Sequence, residues 1–447
     1  MLKKLLFFII LISYSVQSQN FVKGKLNPPQ DYSWVVLYQL KGAKQLYIKN
    51  TTIANGEFSM DLPANAAKGM YRLMYSQEGN GFVDFIYNKE NIELTFNPAS
   101  PVESIKFLNS EENEKFHEYK NELAHRIPKL DSLQRVYFSL KEDLKKIEIN
   151  KKYKEAYNDF YEFQNKYENS TKGSLANHFI KSSKKYYAPN LIASPQEYLN
   201  SEKQHYFDFI DFDDKELRNS IFLTQKVVDY VFYLNGSDDI QVQNLLFKGA
   251  VNAVFSNIND DGLRSEMVTI LLHSFSQVEN TVLIEYIIKN YFNTLPEAFK
   301  DYKLIDQIQE RVKLAVGKTA PDFSWNYKGE LKKLSEIDIA ENYIVVFWST
   351  TCSHCLKEVP QLYEYIKNNT NVYVIAIALE SDDLGFNHHT SSFVNWTNVL
   401  GLNKWQNEIA RDYEITSTPS YFVLDSNKKI IAKPEYFKDV KNIFDKK

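Results

Sequence analysis

A short apolar run that ends in two cysteines most constrains how this chain can fold. Residues 343–348 read Tyr-Ile-Val-Val-Phe-Trp, and three hydroxyl residues then lead to Cys352-Ser353-His354-Cys355. Such a run of β-branched and aromatic residues predicts a strand, Asn342–Trp348, that is buried on both faces. A helical pattern follows over Ser353–Asn369, so Cys352 is expected at a strand-to-helix turn.

The two cysteines are the only ones in 447 residues. A thiol at a helix N-terminus becomes a good nucleophile, because the unpaired N–H groups and the helix dipole lower its pKa. Cys355 lies three residues on, over the same helix face, within reach of a small-ring disulfide. We expect Cys352 to attack a substrate disulfide and Cys355, the more buried thiol, to resolve the mixed disulfide.

Two other interpretations of the cysteine pair are weaker. A zinc site needs four ligands, and the chain has no second cysteine pair, while His354, His388 and His389 lack a supporting spacing. A structural disulfide between residues three apart closes almost no loop and stabilises little. The sequence therefore predicts a redox centre that uses no metal and no other cofactor.

The N-terminus has the pattern of a secretory signal over residues 1–18. Lys3 and Lys4 form a basic start, Leu5 to Ile12 form an apolar core, and Val16-Gln17-Ser18 offers a cleavage site. The apolar core is short for a membrane span, and an uncleaved anchor is the alternative. Export would place the cysteines in an oxidising compartment, the periplasm or another extracytoplasmic space.

Composition excludes some classes of partner. Hydrophobic residues make up 44% of the chain and aromatic residues 15%, which supports packed cores rather than disorder. The formal charge is −4, and it would be −6 after removal of the two signal lysines. No basic surface that would bind nucleic acid is indicated.

Periodicity divides the chain into a signal (1–18), a β-rich module (19–105), an α-helical region (106–311) and an α/β domain (312–447). The β module is expected to be a small sandwich or barrel without a catalytic constellation. Its predicted strands lie at residues 34–38, 45–48, 57–62, 70–75, 82–87 and 92–96.

Helical spacing of apolar residues begins near Phe116. It predicts one long helix through Ile147, or two joined near Pro128, with an antiparallel partner over Lys151–Tyr167. The aromatic stripe of these helices is interpreted as core. Further helices are predicted at residues 215–234, 240–257, 262–277 and 281–292.

The last region alternates strands and helices, which predicts a central sheet covered on both faces. After the first strand and helix we expect a buried strand at 372–379, one or two helices over 391–413, a hairpin of 420–425 with 429–432, and a final helix. The predicted architecture is therefore multidomain, with an all-β, an α-helical and an α/β part.

Several motifs resemble those of one known family. Residues 346–355 (Val-Phe-Trp-Ser-Thr-Thr-Cys-Ser-His-Cys) resemble the active-site strand and turn of the thioredoxin superfamily, and residues 417–425 (Ser-Thr-Pro-Ser-Tyr-Phe-Val-Leu-Asp) resemble its cis-proline loop. The lead-in at Gly317–Phe323 and residues 355–360 are similar to extracytoplasmic TlpA/ResA-type thiol–disulfide oxidoreductases. The resemblance covers about residues 312–447, and the whole arrangement resembles the long forms of this group.

The resemblance implies roles for further residues. Pro419 would be the cis-proline opposite the disulfide, and Thr418 would offer backbone hydrogen bonds to an extended substrate. Glu358 would assist proton transfer from Cys355, and Trp348 would pack beside the active site and the bound substrate. Glu358 can also be read as an ordinary first-turn carboxylate, and Trp348 as a simple core residue.

Two departures from the wider superfamily concern redox tuning. Thioredoxin has a buried Asp two residues before the Trp, where this chain has Val346. Another group must then transfer the proton, and Glu358 is the candidate. The residues between the cysteines are Ser353 and His354 rather than Gly-Pro. A His before the second Cys resembles strongly oxidising disulfide-forming proteins, so the direction of electron flow stays open.

The leading hypothesis is an enzyme that reduces protein disulfides and is itself kept reduced by a membrane-linked thiol donor. A disulfide-forming oxidase is the first alternative. A peroxiredoxin is disfavoured, because the Pro of its Pro-x-x-x-Thr/Ser-x-x-Cys frame is missing here. In a third alternative, residues 19–311 act as a binding or scaffold module and the redox domain is secondary.

Overall fold

A computed structural model describes residues 20–79, 81–327 and 329–445. The predicted signal segment, residues 1–18, lies outside these residues. The chain divides into two compact units, Met1–Met267 and Val268–Lys447. None of the helices within the described residues is long and apolar enough to cross a membrane.

The first unit begins with a β-sandwich. Its strands are β1 (Phe21–Leu26), β2 (Trp34–Lys41), β3 (Lys44–Thr52), β4 (Glu57–Asp61), β5 (Gly69–Met74), β6 (Phe82–Tyr87), β7 (Ile92–Phe96) and β8 (Lys106–Phe107), with the short helix α1 (Pro101–Ser104) before β8. They form two four-stranded sheets, in the orders β4-β1-β7-β8 and β3-β2-β5-β6. Side chains alternate between core and solvent along β1, β4 and β7, as a sheet with one buried face requires. The predicted strands are confirmed, and the architecture is a sandwich.

Helices complete the first unit. They are α2 (Glu111–Ser139), α3 (Asp143–Ser170), α4 (Leu175–Ser182), α5 (Pro195–Gln204), α6 (Lys215–Arg218), α7 (Phe222–Tyr233), α8 (Ile240–Ser256) and α9 (Asp261–Gln277), the last of which crosses the division. Aromatic side chains of α2 and α3 pack against each other; Tyr119 and Phe163 stack with ring centroids 5.2 Å apart.

Neither predicted alternative for residues 116–147, one long helix or two joined near Pro128, is right. Helix α2 continues through Pro128 and ends at Ser139, and Leu144 and Ile147 belong to α3, where both are exposed. A proline inside a helix costs a hydrogen bond and about 3 kcal/mol. Burial of side chains on both sides of Pro128, including Tyr119 and Leu130, offsets that cost.

The second unit contains α10 (Thr281–Ile287), a π-helical turn that continues it to Phe292, and α11 (Tyr302–Arg311). A hairpin of β9 (Ser324–Tyr327) and β10 (Glu330–Lys333) follows, which the sequence did not predict. The main strands are β11 (Asn342–Trp348), β12 (Val372–Glu380), β13 (Thr397–Leu402), β14 (Ser420–Asp425) and β15 (Ile430–Ala432), and the helices are α12 (Ser353–Ile366), α13 (Phe386–Thr390), α14 (Glu408–Asp412) and α15 (Phe437–Asp445).

These five strands form one sheet in the order β13-β12-β11-β14-β15. Strand β11 is central, parallel to β12 and antiparallel to β14, and all seven of its residues are buried. Successive side chains point to opposite faces, so Tyr343, Val345 and Phe347 enter one hydrophobic cluster. Ile344, Val346 and Trp348 enter the other. The predicted sheet with two covered faces is confirmed.

Helices were expected across residues 391–413, and this is wrong for the central part of the segment. Residues Thr397–Leu402 form strand β13, which pairs in parallel with β12 along Ile375–Glu380. A Cβ at Gly401 would lie 3.1 Å from Leu379 Cδ2 and 3.2 Å from the Ala378 carbonyl oxygen. Pairing with β12 therefore decides the structure of this segment, and the absence of a side chain at Gly401 permits the close approach. The local spacing of apolar residues does not reveal such a contact.

The hydroxyl of Tyr343 fixes the turn that leads into β11. It donates to the Ile337 carbonyl at 3.0 Å and accepts from the N–H groups of Ile339 (3.0 Å) and Ala340 (3.3 Å). The ring itself is fully buried. One side chain of the central strand thus satisfies three backbone groups of the preceding turn.

We predict that Tyr343→Phe lowers the free energy of unfolding of the second unit by about 1–3 kcal/mol, because three backbone groups lose their partner. Denaturation followed by tryptophan fluorescence measures this, since four of the five tryptophans lie in that unit. Tyr363→Phe is the matched control: its ring packs on Phe393, and within the described residues its hydroxyl makes no hydrogen bond. Equal stability of the two variants would contradict the assigned role of the Tyr343 hydroxyl.

Candidate active site

The two cysteines lie where β11 gives way to α12. Cys352 is the N-cap residue of α12, and its Sγ accepts a hydrogen bond from the Cys355 N–H at 3.1 Å. The two residues form a disulfide, in which Cys352 is partly exposed and Cys355 is fully buried. Unpaired N–H groups at this helix end favour a negative charge on the outer sulfur.

A second loop approaches the disulfide because of strand register. Strand β14 pairs antiparallel with β11, and Ser420 at its start stands opposite Phe347 near the end of β11. The residues just before β14 are therefore brought beside the cysteine turn. The Thr418–Pro419 peptide bond is cis, and the Thr418 carbonyl oxygen lies 3.5 Å from Cys352 Sγ.

Glu358 follows Cys355 by about one turn of α12. Its Oε2 accepts hydrogen bonds from the Tyr421 hydroxyl and from the backbone N–H of Phe437, both at 3.0 Å. Its Oε1 lies 3.3 Å from His354 Nε2. The carboxylate is 14% exposed and ties α12 to β14 and to the first turn of α15, so it stabilises this corner of the domain as well as lying one helical turn from Cys355.

Tyr421 is the buried partner of that carboxylate. Its side chain is almost fully buried, and burial raises the pKa of Tyr421, with the adjacent Glu358 carboxylate raising it further. The hydroxyl therefore stays protonated and donates to Glu358 throughout the physiological pH range.

Trp348 lies in the core beneath α12. It is 1% exposed, shares a hydrophobic cluster with Cys355, and packs edge-to-face on Phe393 with ring centroids 5.9 Å apart. Its indole N–H has no hydrogen-bond partner among the residues described. The packing is that of a core residue, and a contribution to substrate binding stays a prediction.

Ser353 and His354 lie on the outside of the turn. Ser353 is exposed, and the His354 side chain is 53% exposed. The His354 ring meets the Tyr436 ring edge-on, with centroids 6.4 Å apart, while its Nε2 faces Glu358. The carboxylate offsets any positive charge that the imidazole carries.

Sequence reasoning missed Glu380, which is 4% exposed at the C-terminal end of β12. Its carboxylate accepts a hydrogen bond from the Thr350 N–H at 2.5 Å and lies 3.4 Å from Ser349 Oγ. It thereby holds the loop that leads from β11 to Cys352. An acidic residue at the end of an otherwise apolar strand was the available signal.

A cleft of about 440 Å³ opens beside the disulfide. One wall is the loop that carries Thr418 and Pro419, the other is the segment Lys433–Tyr436, and His354 lies between them. We call it the proline-loop cleft. Its volume is that of a typical ligand site, and its lining mixes aromatic rings with charged side chains.

Comparison with known proteins agrees with this geometry. Residues 341–430 match a family model described as thioredoxin-like. The chain carries a thioredoxin-like domain of the thiol–disulfide oxidoreductase type. The match falls inside the predicted 312–447 domain, whose exact bounds stay a prediction. Residues 21–116 match a domain of unknown function (DUF4369).

Curated relatives match the thioredoxin-like domain. The thiol–disulfide oxidoreductase ResA of Bacillus thuringiensis is 26% identical over 126 residues, 27% of this chain and 70% of that protein. ResA of Geobacillus thermodenitrificans is 27% identical over 138 residues, 30% of this chain and 78% of that protein.

Solved structures have also been matched to the chain. A domain of a possible thiol–disulfide isomerase from Cytophaga hutchinsonii is 30% identical and covers 30% of this chain and 92% of that one, with a TM-score of 0.27. The thioredoxin domain of a thiol–disulfide oxidoreductase from Bacteroides vulgatus is 25% identical and covers 30% and 97%, with the same TM-score.

Proposed function

We propose that the protein is an extracytoplasmic enzyme that reduces disulfides in other proteins. The observation that carries this is the asymmetry of the cysteine pair: Cys352 is partly exposed at a helix N-terminus beside Thr418 and Pro419, whereas Cys355 is buried behind it. A nucleophile that a polypeptide can reach, with a resolving thiol that it cannot, suits attack on a bulky substrate.

The reaction starts from the dithiol form. The Cys352 thiolate attacks one sulfur of the substrate disulfide, a Cys352–substrate bond forms, and the other substrate sulfur leaves as a thiolate that takes up a proton. The Cys355 thiolate then attacks Cys352 Sγ, which closes the Cys352–Cys355 disulfide and releases the second substrate thiol. Two electrons and two protons pass to the substrate. A membrane-linked thiol donor would return two electrons to the pair.

The proline-loop cleft supports a polypeptide as the substrate. An extended chain lying along residues 416–419 would run next to Cys352 Sγ, so main-chain hydrogen bonds to this loop would hold its cysteine in line. Thr418 and Pro419 are the proposed contacts. His354 and Tyr436 would face the residues that flank the substrate cysteine.

Glu358 is proposed to accept the proton of Cys355 during resolution. Its support is its place one helical turn from Cys355 and the absence of an acid at Val346. The hydrogen bonds from Tyr421 and Phe437 keep the carboxylate oriented, so the same contacts serve stability and chemistry.

Secretion rests on the pattern of residues 1–18. An oxidising compartment would convert the pair to a disulfide between cycles, and continued reduction would then require the external donor.

We predict that Cys352→Ser reduces insulin disulfides only at the background rate, because the nucleophile is gone. Cys355→Ala should instead accumulate mixed disulfides that mass spectrometry identifies, because nothing resolves them. The Cys352→Ser/Cys355→Ala double variant is the control and should trap nothing. Reduction by Cys352→Ser at the rate of the unmodified chain would overturn the proposed mechanism.

A second prediction separates the two roles of Glu358. Glu358→Gln keeps an acceptor for Tyr421 and Phe437, so stability should change little while resolution slows about 100-fold, the lower end for a positioned acid–base group. Glu358→Ala leaves both donors unpartnered and should also cost about 1–3 kcal/mol of stability. Stopped-flow kinetics and denaturation measure the two effects. An unchanged rate in Glu358→Gln would restrict the residue to a structural role.

His354 motivates the alternative of a disulfide-forming oxidase. Its contact with Glu358 argues for a reductant, because the carboxylate offsets the positive charge that would favour a Cys352 thiolate. We expect equilibrium with glutathione buffers to give a potential below about −220 mV, and His354→Ala to shift it by less than about 30 mV, a tenfold change in the equilibrium constant. A potential near −120 mV, as in strong oxidants, would favour the oxidase.

A further inference from the structure

A second cleft, of about 140 Å³, lies in the helical part of the first unit. Its walls come from α2, from the segment after α4, from the end of α5 and from α7. We call it the basic cleft, because its lining includes Lys184, Lys185 and Lys226 but only one carboxylate, that of Glu202. This volume is close to the ~150 Å³ of a protein cavity that binds benzene, so it suits a ligand with a single ring.

Two of the three lysines already have a counter-ion. Lys184 Nζ lies 2.8 Å from Glu168 Oε2, and Lys185 Nζ lies 2.9 Å from Glu202 Oε1. Lys226 is different: within the described residues it forms no ion pair and no hydrogen bond. Its ammonium instead lies 5.5 Å from the ring centroids of both Tyr206 and Phe222.

A partly buried ammonium without a counter-ion is costly, since neither water nor a carboxylate fully replaces its hydration. Burial lowers the pKa of Lys226 and the charge of Lys185 lowers it further, against an opposing effect of Asp229. Asp229, three residues on along α7, therefore acts on Lys226, but the two form no ion pair. The other titratable groups of the cleft have partners of their own. Glu202 is bound to Lys185, and His205 Nδ1 lies 2.7 Å from Asp208.

Aromatic and aliphatic side chains form most of the remaining lining. Tyr186 and His205 stack at a centroid distance of 3.8 Å, and Leu123 and Ile127 of α2 complete the surface. Such walls accept a planar or apolar body, while a charged group would turn towards the lysines.

We propose that the basic cleft binds a small planar organic carboxylate, whose anionic group pairs with Lys226 and whose ring packs against the Tyr186–His205 surface. The bound carboxylate would form the direct ion pair that Lys226 lacks among the described residues. This site is separate from the cysteine centre, and its occupancy does not depend on the redox reaction.

Benzoate and its uncharged analogue benzamide test this by calorimetry on the full chain. We expect benzoate to bind at least about tenfold more tightly than benzamide, and Lys226→Met to weaken benzoate at least about tenfold, that is by about 1.4 kcal/mol. Lys172→Met is the matched control, because Lys172 is exposed and outside the cleft, and it should bind benzoate as the unmodified chain does.

A purely structural Lys226 gives a different pattern. If the cation–π contacts alone explain this residue, Lys226→Met destabilises the protein and leaves benzoate and benzamide equally weak. If our proposal is right, Lys226→Met is at least as stable to heat as the unmodified chain, because an uncompensated charge is removed, and Lys226→Arg retains binding. Failure of benzoate to bind saturably, or equal binding by Lys226→Met, overturns the proposal.

Discussion

Complete burial of strand β11 is the constraint on which the redox domain depends. Its residues alternate between two hydrophobic clusters, and it has a neighbour on each side in the sheet. A strand held in this way cannot slip by one residue without turning every side chain to the wrong face. The position of Cys352 at its end is therefore fixed by the core rather than by the loop itself.

Two carboxylates extend this rigidity to the reactive turn. Glu380, at the end of β12, holds the backbone of Thr350 ahead of Cys352. Glu358, on α12, joins Tyr421 of β14 and the first residue of α15. The segments before and after Cys352 are thus both held by hydrogen bonds to a carboxylate, and a charged acceptor makes such bonds stronger. Such preorganisation keeps the nucleophile in line with a substrate while the surrounding cleft stays open.

The first unit contains neither cysteine of the redox centre. Its sandwich matches a domain of unknown function, and its helices pack through aromatic side chains. The basic cleft is an exception, because it gathers lysines from separate segments and leaves Lys226 without a counter-ion. Binding of a small anion there would give this part of the chain a function of its own, separate from disulfide exchange.

The sequence alone determined the features that depend on local pattern: the apolar run of β11, the helix after Cys352, the strands of the sandwich and the motif around Pro419. It predicted neither the end of α2 at Ser139 nor the strand at residues 397–402, because distant packing outweighed local propensity at both places. Glu380 and the partners of Glu358 were decided only by the tertiary structure, since strand register brings together residues that lie far apart in sequence. The same is true of Lys226, whose lack of a direct ion pair appears only when four separate segments have been packed together.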